Sequence, residues 1–165
     1  MPDVMNDPLL FTFRFDVAFF PTQLSGILRE VATLAGVNAS PIGSGAFAEC
    51  SGLEATMEPK TIKEGGNNDT PIQRAGTVSY ATVILKRGLT ANRDLWRAFA
   101  LPARGAYAQR LDCVITLNDT AGVPTISWLL VNALPVKFKT ADFNARASEV
   151  GVEELHLVHE GLYLV

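Results

Sequence analysis

The chain has 165 residues, 48% of them hydrophobic, with a formal charge of -3 and a pI near 5.4. That suffices for one packed core, and no shift in composition divides it, so a single domain over residues 1–165 is expected. The acidic balance argues against a protein that grips phosphate backbones, which would carry a clustered excess of Lys and Arg.

The N-terminal MPDVMNDPLLF lacks the basic start and long apolar core of a signal peptide, and no apolar run approaches a membrane span; synthesis and folding in the cytoplasm are expected. From Phe11 to Phe19 every odd position is large and apolar, which places four phenylalanines and Val17 on one face of a strand. After Pro21, residues Leu24, Ile27, Leu28, Val31 and Leu34 recur at helical spacing and Gly36 ends the run, predicting an amphipathic helix over residues 22–35. The small, Gly- and Pro-bearing segment Asn38 to Gly45 reads as a loop.

Phe47 to Thr56 and Val78 to Lys86 read as strands joined by a polar arm, Met57 to Thr77, which holds Lys63, Glu64, Gly65, Gly66, Asn67 and Asn68. The arm is too poor in apolar side chains to pack by itself, and loops of this length are usually either functional or disordered; the alternative to a contact is a flexible surface loop with no partner. A neighbouring subunit would order it. Thr90 is a candidate cap for a short helix from Asn92 to Phe99 that stops before Pro102 and buries Leu95 and Phe99. This helix would plug or cross one end of a barrel.

Leu111 to Leu117, Thr125 to Val131 and Val136 to Lys139 complete the middle strands, with Asn118 to Gly122 as turn material. In the last strand Val150 and Val152 share one parity, and Leu155 and Leu157 the other. A one-residue bulge at Glu153-Glu154 would bring all four to the core side. Cys50 and Cys113 lie in strand-like apolar segments, where reduced core thiols are expected.

No motif carries catalytic chemistry, a cofactor or a metal. His156 and His159 are three apart, so on a regular strand they point to opposite faces and cannot chelate one ion. Glu153, Glu154 and Glu160 read as a solvated edge that discourages aggregation. Gly65 and Gly66 lack the Lys-Ser/Thr of a phosphate loop and serve instead for a turn or a close backbone approach. Ser44 lacks the surroundings of a nucleophile elbow, and Trp96 and Trp128 read as core or interface aromatics.

The order of these elements resembles tail tube proteins of the T4 phage type: the opening strand, Phe47 to Glu54, the Glu64-Gly65-Gly66-Asn67-Asn68 arm, Leu85 to Thr90, Trp128 to Val136, the Phe143-Asn144-Ala145 turn and Glu149 to Leu162. The resemblance implies a mainly β fold like that of the type VI secretion tube protein, a β-barrel of two packed antiparallel sheets with a flanking helix. It implies homo-hexameric rings stacked into a hollow inner tube, with sheath and baseplate proteins as partners. Cargo DNA or a protein effector would pass through the lumen without tight binding. By the same resemblance the product is part of a virion tail or phage-tail-like particle, with no membrane insertion of its own. It departs from the family pattern at residues 20–45, where the predicted helix and loop are inserted. Alternatives are a tube-initiating ring near the baseplate and a small β-barrel ligand-binding module; a hydrolase-type enzyme lacks nucleophile geometry.

Overall fold

The longest element, Pro124–Lys139, is the strand on which two sheets meet. The computed structural model describes residues 14–22, 43–63, 65–66, 71–104, 110–143, 146 and 150–165. In chain order the elements are β1 (Phe15–Pro21), β2 (Gly43–Ala46), β3 (Glu49–Ser51), β4 (Ala55–Met57), β5 (Lys60–Ile62), β6 (Ile72–Arg74), β7 (Val78–Tyr80), β8 (Val83–Gly88), α1 (Asp94–Ala103), β9 (Leu111–Asn118), β10 (Pro124–Lys139), β11 (Val152–Val158) and β12 (Gly161–Leu164). No helix among the described residues is long and apolar enough to cross a membrane.

Hydrogen bonding follows the path β2-β1-β9-β10-β11-β8-β3, all antiparallel, with β12 also on β10. The first half of β10 pairs with β9 and β12, and its second half with β11. Between the halves the register with β9 shifts from Leu130 to Ala133, and Asn132 takes a φ of 52°. An extra residue in the left-handed region bends a strand, and Asn tolerates that region better than most residues. Asp112 Oδ1 accepts the Asn132 amide N–H at 3.1 Å, and the Asn132 side chain donates to Glu160 at 2.8 Å, so the bend is held from both sides.

The path must be rolled. Its two ends, β2 and β3, are separated in sequence only by Phe47 and Ala48. A flat path of seven strands would put its edges about 29 Å apart, whereas the three Cα steps from Ala46 to Glu49 span about 11 Å at most. The expected closed barrel is corrected here: among the described residues no ladder joins β2 to β3. The chain itself crosses the seam with Phe47 buried, and Ala48 N–H already donates to Lys86 O on the other side at 2.8 Å.

The interior confirms the parity of β1, with Val17 and Phe19 buried and Phe15 packed against them; Phe11 and Phe13 lie outside the described residues. Leu85, Cys113, Ile115, Leu130, Leu155 and Leu157 face them from the other strands. The helix expected at 22–35 also lies outside the described residues, apart from Thr22. Gly43 to Gly45, expected as loop, are an edge strand on β1.

The bulge at Glu153-Glu154 is not formed. β11 pairs with β8 in unbroken register from Val152↔Gly88 to Leu157↔Val83, which buries Leu155 and Leu157 and leaves Val150 and Val152 exposed. Glu153 therefore points inward, not into solvent as expected. Its carboxylate meets Arg87 at 3.1 Å, with the two side chains only 10% and 6% exposed. Arg87 also donates from Nη2 to Asn92 O at 3.0 Å and lies over the Phe47 ring, so the charge is neutralised and two of its nitrogens are hydrogen-bonded.

That contact fixes the entry to α1. The Asn92 side chain, not Thr90, caps it, accepting from Asp94 N–H at 3.0 Å. The helix runs past the expected stop and through Pro102, with Arg104 N–H still bonding Ala100 O. A proline near the helix end removes one bond without breaking the turn. Leu95 and Ala98 reach the core, while Phe99 and Phe138 pack against it half-buried and meet the exposed Trp96 ring to ring. The strands expected at Thr125–Val131 and Val136–Lys139 are thus one strand, bent instead of interrupted.

Candidate subunit-contact arm

The strands expected over Phe47–Thr56 and Val78–Lys86 are each broken, and the breaks face one another. Gly52, at φ 87°, ends β3; a Cβ there would lie 2.1 Å from Thr82 O, so only glycine fits. Ala81 N–H then donates to Glu54 O at 3.1 Å and a separate ribbon begins.

Its lower tier is β4 with β7 and its upper tier β5 with β6, bridged by Glu58 N–H donating to Thr77 O at 3.2 Å. Gly76 lies against Glu58 at the bridge, where a Cβ would come within 1.8 Å of the Glu58 carbonyl oxygen. Among the described residues the strands of the ribbon pair only with each other, and β4, β5 and β6 are exposed throughout. Two-stranded ribbons of this kind are marginal in water without something to pack against.

The upper tier has two chemically different faces. Ile62↔Ile72 and Lys60↔Arg74 are directly opposed pairs on one face, because they lie two residues apart along each strand. Thr61↔Gln73 occupies the other face, with the Thr61 hydroxyl and Gln73 Oε1 at 3.0 Å. Beyond this tier come Lys63, exposed, and the turn at Gly65-Gly66, where Gly66 has φ 94°. Apart from their chain neighbours, no atom of the described residues comes within 4 Å of a Cβ built on either glycine. Glu64, Asn67 and Asn68 lie outside the described residues.

Sequence reading missed the ribbon itself. The signal was present as Lys60-Thr61-Ile62 mirrored by Ile72-Gln73-Arg74 about the Gly-Gly pair, an alternation on both sides of turn residues.

Elsewhere the two histidines differ in their surroundings, and His159 Nε2 is buried with no hydrogen-bond partner among the described residues. His156 Nε2 lies 3.5 Å from Glu154, whereas His159 Nδ1 bonds Gly161 O at 2.9 Å and its ring packs on Tyr80. A groove of about 320 Å³ follows the seam, lined by Phe15, Cys50, Leu53, Ile115, Leu117 and Trp128 among others. Both cysteines are free thiols; burial pushes Cys50 up to about 11 and raises Cys113 well above its ordinary value. Such thiols stay protonated and unreactive near neutral pH.

The family comparison decides what this arrangement belongs to, because the T4-like virus tail tube protein gp19 pattern matches residues 12–163, nearly the whole chain. The chain belongs to the T4-like tail tube protein family. Both the rolled sheet and the arm fall within the matched tail tube region. A solved chain from the anti-feeding prophage baseplate, 6-fold symmetrised, is similar over 98% of this chain and 97% of its own, at 26% identity and a TM-score of 0.74. One from the sheath-tube complex of the PVC extracellular contractile injection system, in its extended state, is 18% identical over 95% of this chain and 91% of its own, with a TM-score of 0.71. The anti-feeding prophage tube-terminating cap supplies a third, 18% identical over 99% and 95% with a TM-score of 0.72. No curated protein matches the sequence. The tail tube family is structural, which agrees with the absence of catalytic motifs in the sequence.

Proposed function

We propose that this tail tube protein is the repeating subunit of the inner tube of a contractile phage tail or related injection system. Six copies form a ring, and rings stack into a hollow conduit for DNA or a protein effector. The whole chain acts as one domain, the ring neighbour pairs with the open sheet edges at the seam, and a helix at 22–35 packs outside the lumen. The observation that carries the reading is the arm: a ribbon exposed along its length, with an unpaired apolar face, is ordered by a neighbouring subunit. Lys63, Glu64, Gly65, Gly66, Asn67 and Asn68 form the contacting tip. Sheath and baseplate proteins are the other partners, in keeping with the particles from which the similar solved chains come. The acidic balance suits a wall past which nucleic acid slides without being gripped.

Electron microscopy with light scattering of the purified protein tests this. Rings and tubes are expected; monomer alone at high concentration, in fields free of rings, would overturn it. A second reading, a tube-initiating ring, draws on the baseplate origin of the 26% identical chain. Single rings that never stack would favour it.

A further inference from the structure

The arm leaves the body where Ser51↔Ile84 and Leu157↔Val83 pair, at one end of β8. The opposite end, at Gly88↔Val152, lies about 17 Å away along the strand. There three segments meet tightly. Leu89 N–H donates to Gly151 O at 2.7 Å, and a Cβ on Gly151 would lie 2.9 Å from the Ala141 Cβ and 3.3 Å from the Leu89 Cβ. This frame carries Phe143 and Val150, 82% and 81% exposed, with Leu89 and Val152 at 40% and 42%. Asp142, beside Phe143, is exposed and makes no ion pair among the described residues.

The arm carries the complement. Its one face presents Ile62 and Ile72 beside Lys60 and Arg74, two cations directly opposed on a ribbon and without an anionic partner among the described residues. Like charges so placed repel, and a carboxylate brought between them relieves that repulsion. The apolar patch beside Asp142 at one end of the subunit and the apolar pair beside Lys60 and Arg74 at the other are alike in polarity, and these flanking groups are opposite in sign. We propose that the Ile62/Ile72 face of the arm docks on the Leu89, Phe143, Val150 and Val152 patch of a second copy of this chain, with Asp142 of that copy facing Lys60 and Arg74. The contact is head-to-tail, so it repeats without closing and extends a stack. This inference rests on the reading of the arm as a subunit contact and names the surface that receives it.

Charge reversal in the full-length protein tests it, because every copy carries both surfaces. Lys60→Glu with Arg74→Glu should leave rings and circular dichroism unchanged while tubes seen by microscopy fall about tenfold or more. Adding Asp142→Lys to that variant should restore them. Loss of tubes without rescue, together with wild-type tubes from Val150→Asp, would mean that the arm docks elsewhere and would overturn the inference while leaving the arm's role intact. Wild-type stacking by a variant with residues 60–74 replaced by a short turn would remove that role, and the inference with it.

Discussion

In β8 the alternation of Val83, Leu85 and Arg87 delivers every second side chain into the interior, whereas in β5 Lys60, Thr61 and Ile62 alternate just as regularly and all remain exposed. The local pattern is the same; what differs is whether a second layer lies opposite. The roll supplies its own second layer because β10 bends at Asn132 and serves both sheets. The arm has none within the described chain. Alternation thus specifies a strand with two different faces; the fold itself covers the apolar face of β8, whereas no second layer among the described residues covers that of β5.

The largest effect that would sharpen this contrast is at the buried ion pair. Glu153→Ala leaves the Arg87 guanidinium buried without its carboxylate and should cost about 3–5 kcal/mol, read as a drop in the urea midpoint. Replacing both residues together, Arg87→Met with Glu153→Leu, should recover most of it, since no lone charge then remains buried. A small loss from Glu153→Ala would mean that water reaches this end of the roll. Next in size, Leu85→Ala should cost about 2–5 kcal/mol by opening a cavity in the interior. Its counterpart Ile62→Ala on the arm should stay within about 0.5 kcal/mol for the unassembled subunit. Equal losses at the two sites would break the comparison, because they would show the arm packed on its own body.

The sequence was legible where one period governed burial. Val17 and Phe19 of β1, Leu111, Cys113, Ile115 and Leu117 of β9 and Leu95 of α1 all bury as their spacing predicts. It was not legible where two periods competed. Val150 and Val152 carry the apolar signal in one parity, Leu155 and Leu157 in the other, and the unbroken ladder with β8 chose the second pair because Arg87 could neutralise Glu153. That choice depends on a residue more than sixty positions away, which no local window contains. The arm was legible as an exposed, polar extension but not as a ribbon, since its apolar residues are few and it buries no face against the body. The single strand β10 was hidden by the Asn132 bend, which reads locally as an interruption.

A smaller effect probes the seam between the two regions. Burial lifts the Cys50 thiol from 9.0 to about 11. Between those values the unfolded chain has lost this proton while the folded chain still holds it, so folding stability is full below pH 9 and falls as pH rises towards 11. Because Cys50 is only partly buried, solvent screening reduces the loss to about 1 kcal/mol. Comparing urea midpoints of wild type and Cys50→Ala at about pH 8 and about pH 10.5 reads it. The variant should lose less stability on going to the higher pH, and an identical loss in both would show that the groove leaves this thiol fully solvated.

The smallest effect on folding, and the most specific for the arm, is expected at Gly65 in its tip, where the neighbouring Gly66 supplies the contrast. Gly66 needs its φ of 94°, so Gly66→Val strains the turn itself, by about 1–2 kcal/mol within the ribbon. Gly65 has no positive φ to explain it, and no described residue beyond its chain neighbours lies within 4 Å of its Cβ position. Nothing in the described subunit demands a glycine there, and Gly65→Val should leave the unassembled protein within about 0.5 kcal/mol of wild type. If a neighbouring backbone approaches the tip, however, the added isopropyl group meets it, and sedimentation should show fewer and shorter assemblies at unchanged circular dichroism. The two glycines thereby separate the two regions cleanly: strain at Gly66 reports on the ribbon alone, whereas a defect at Gly65 appears only when subunits meet. Wild-type assembly by Gly65→Val would place the contact lower on the arm, towards Ile62 and Ile72.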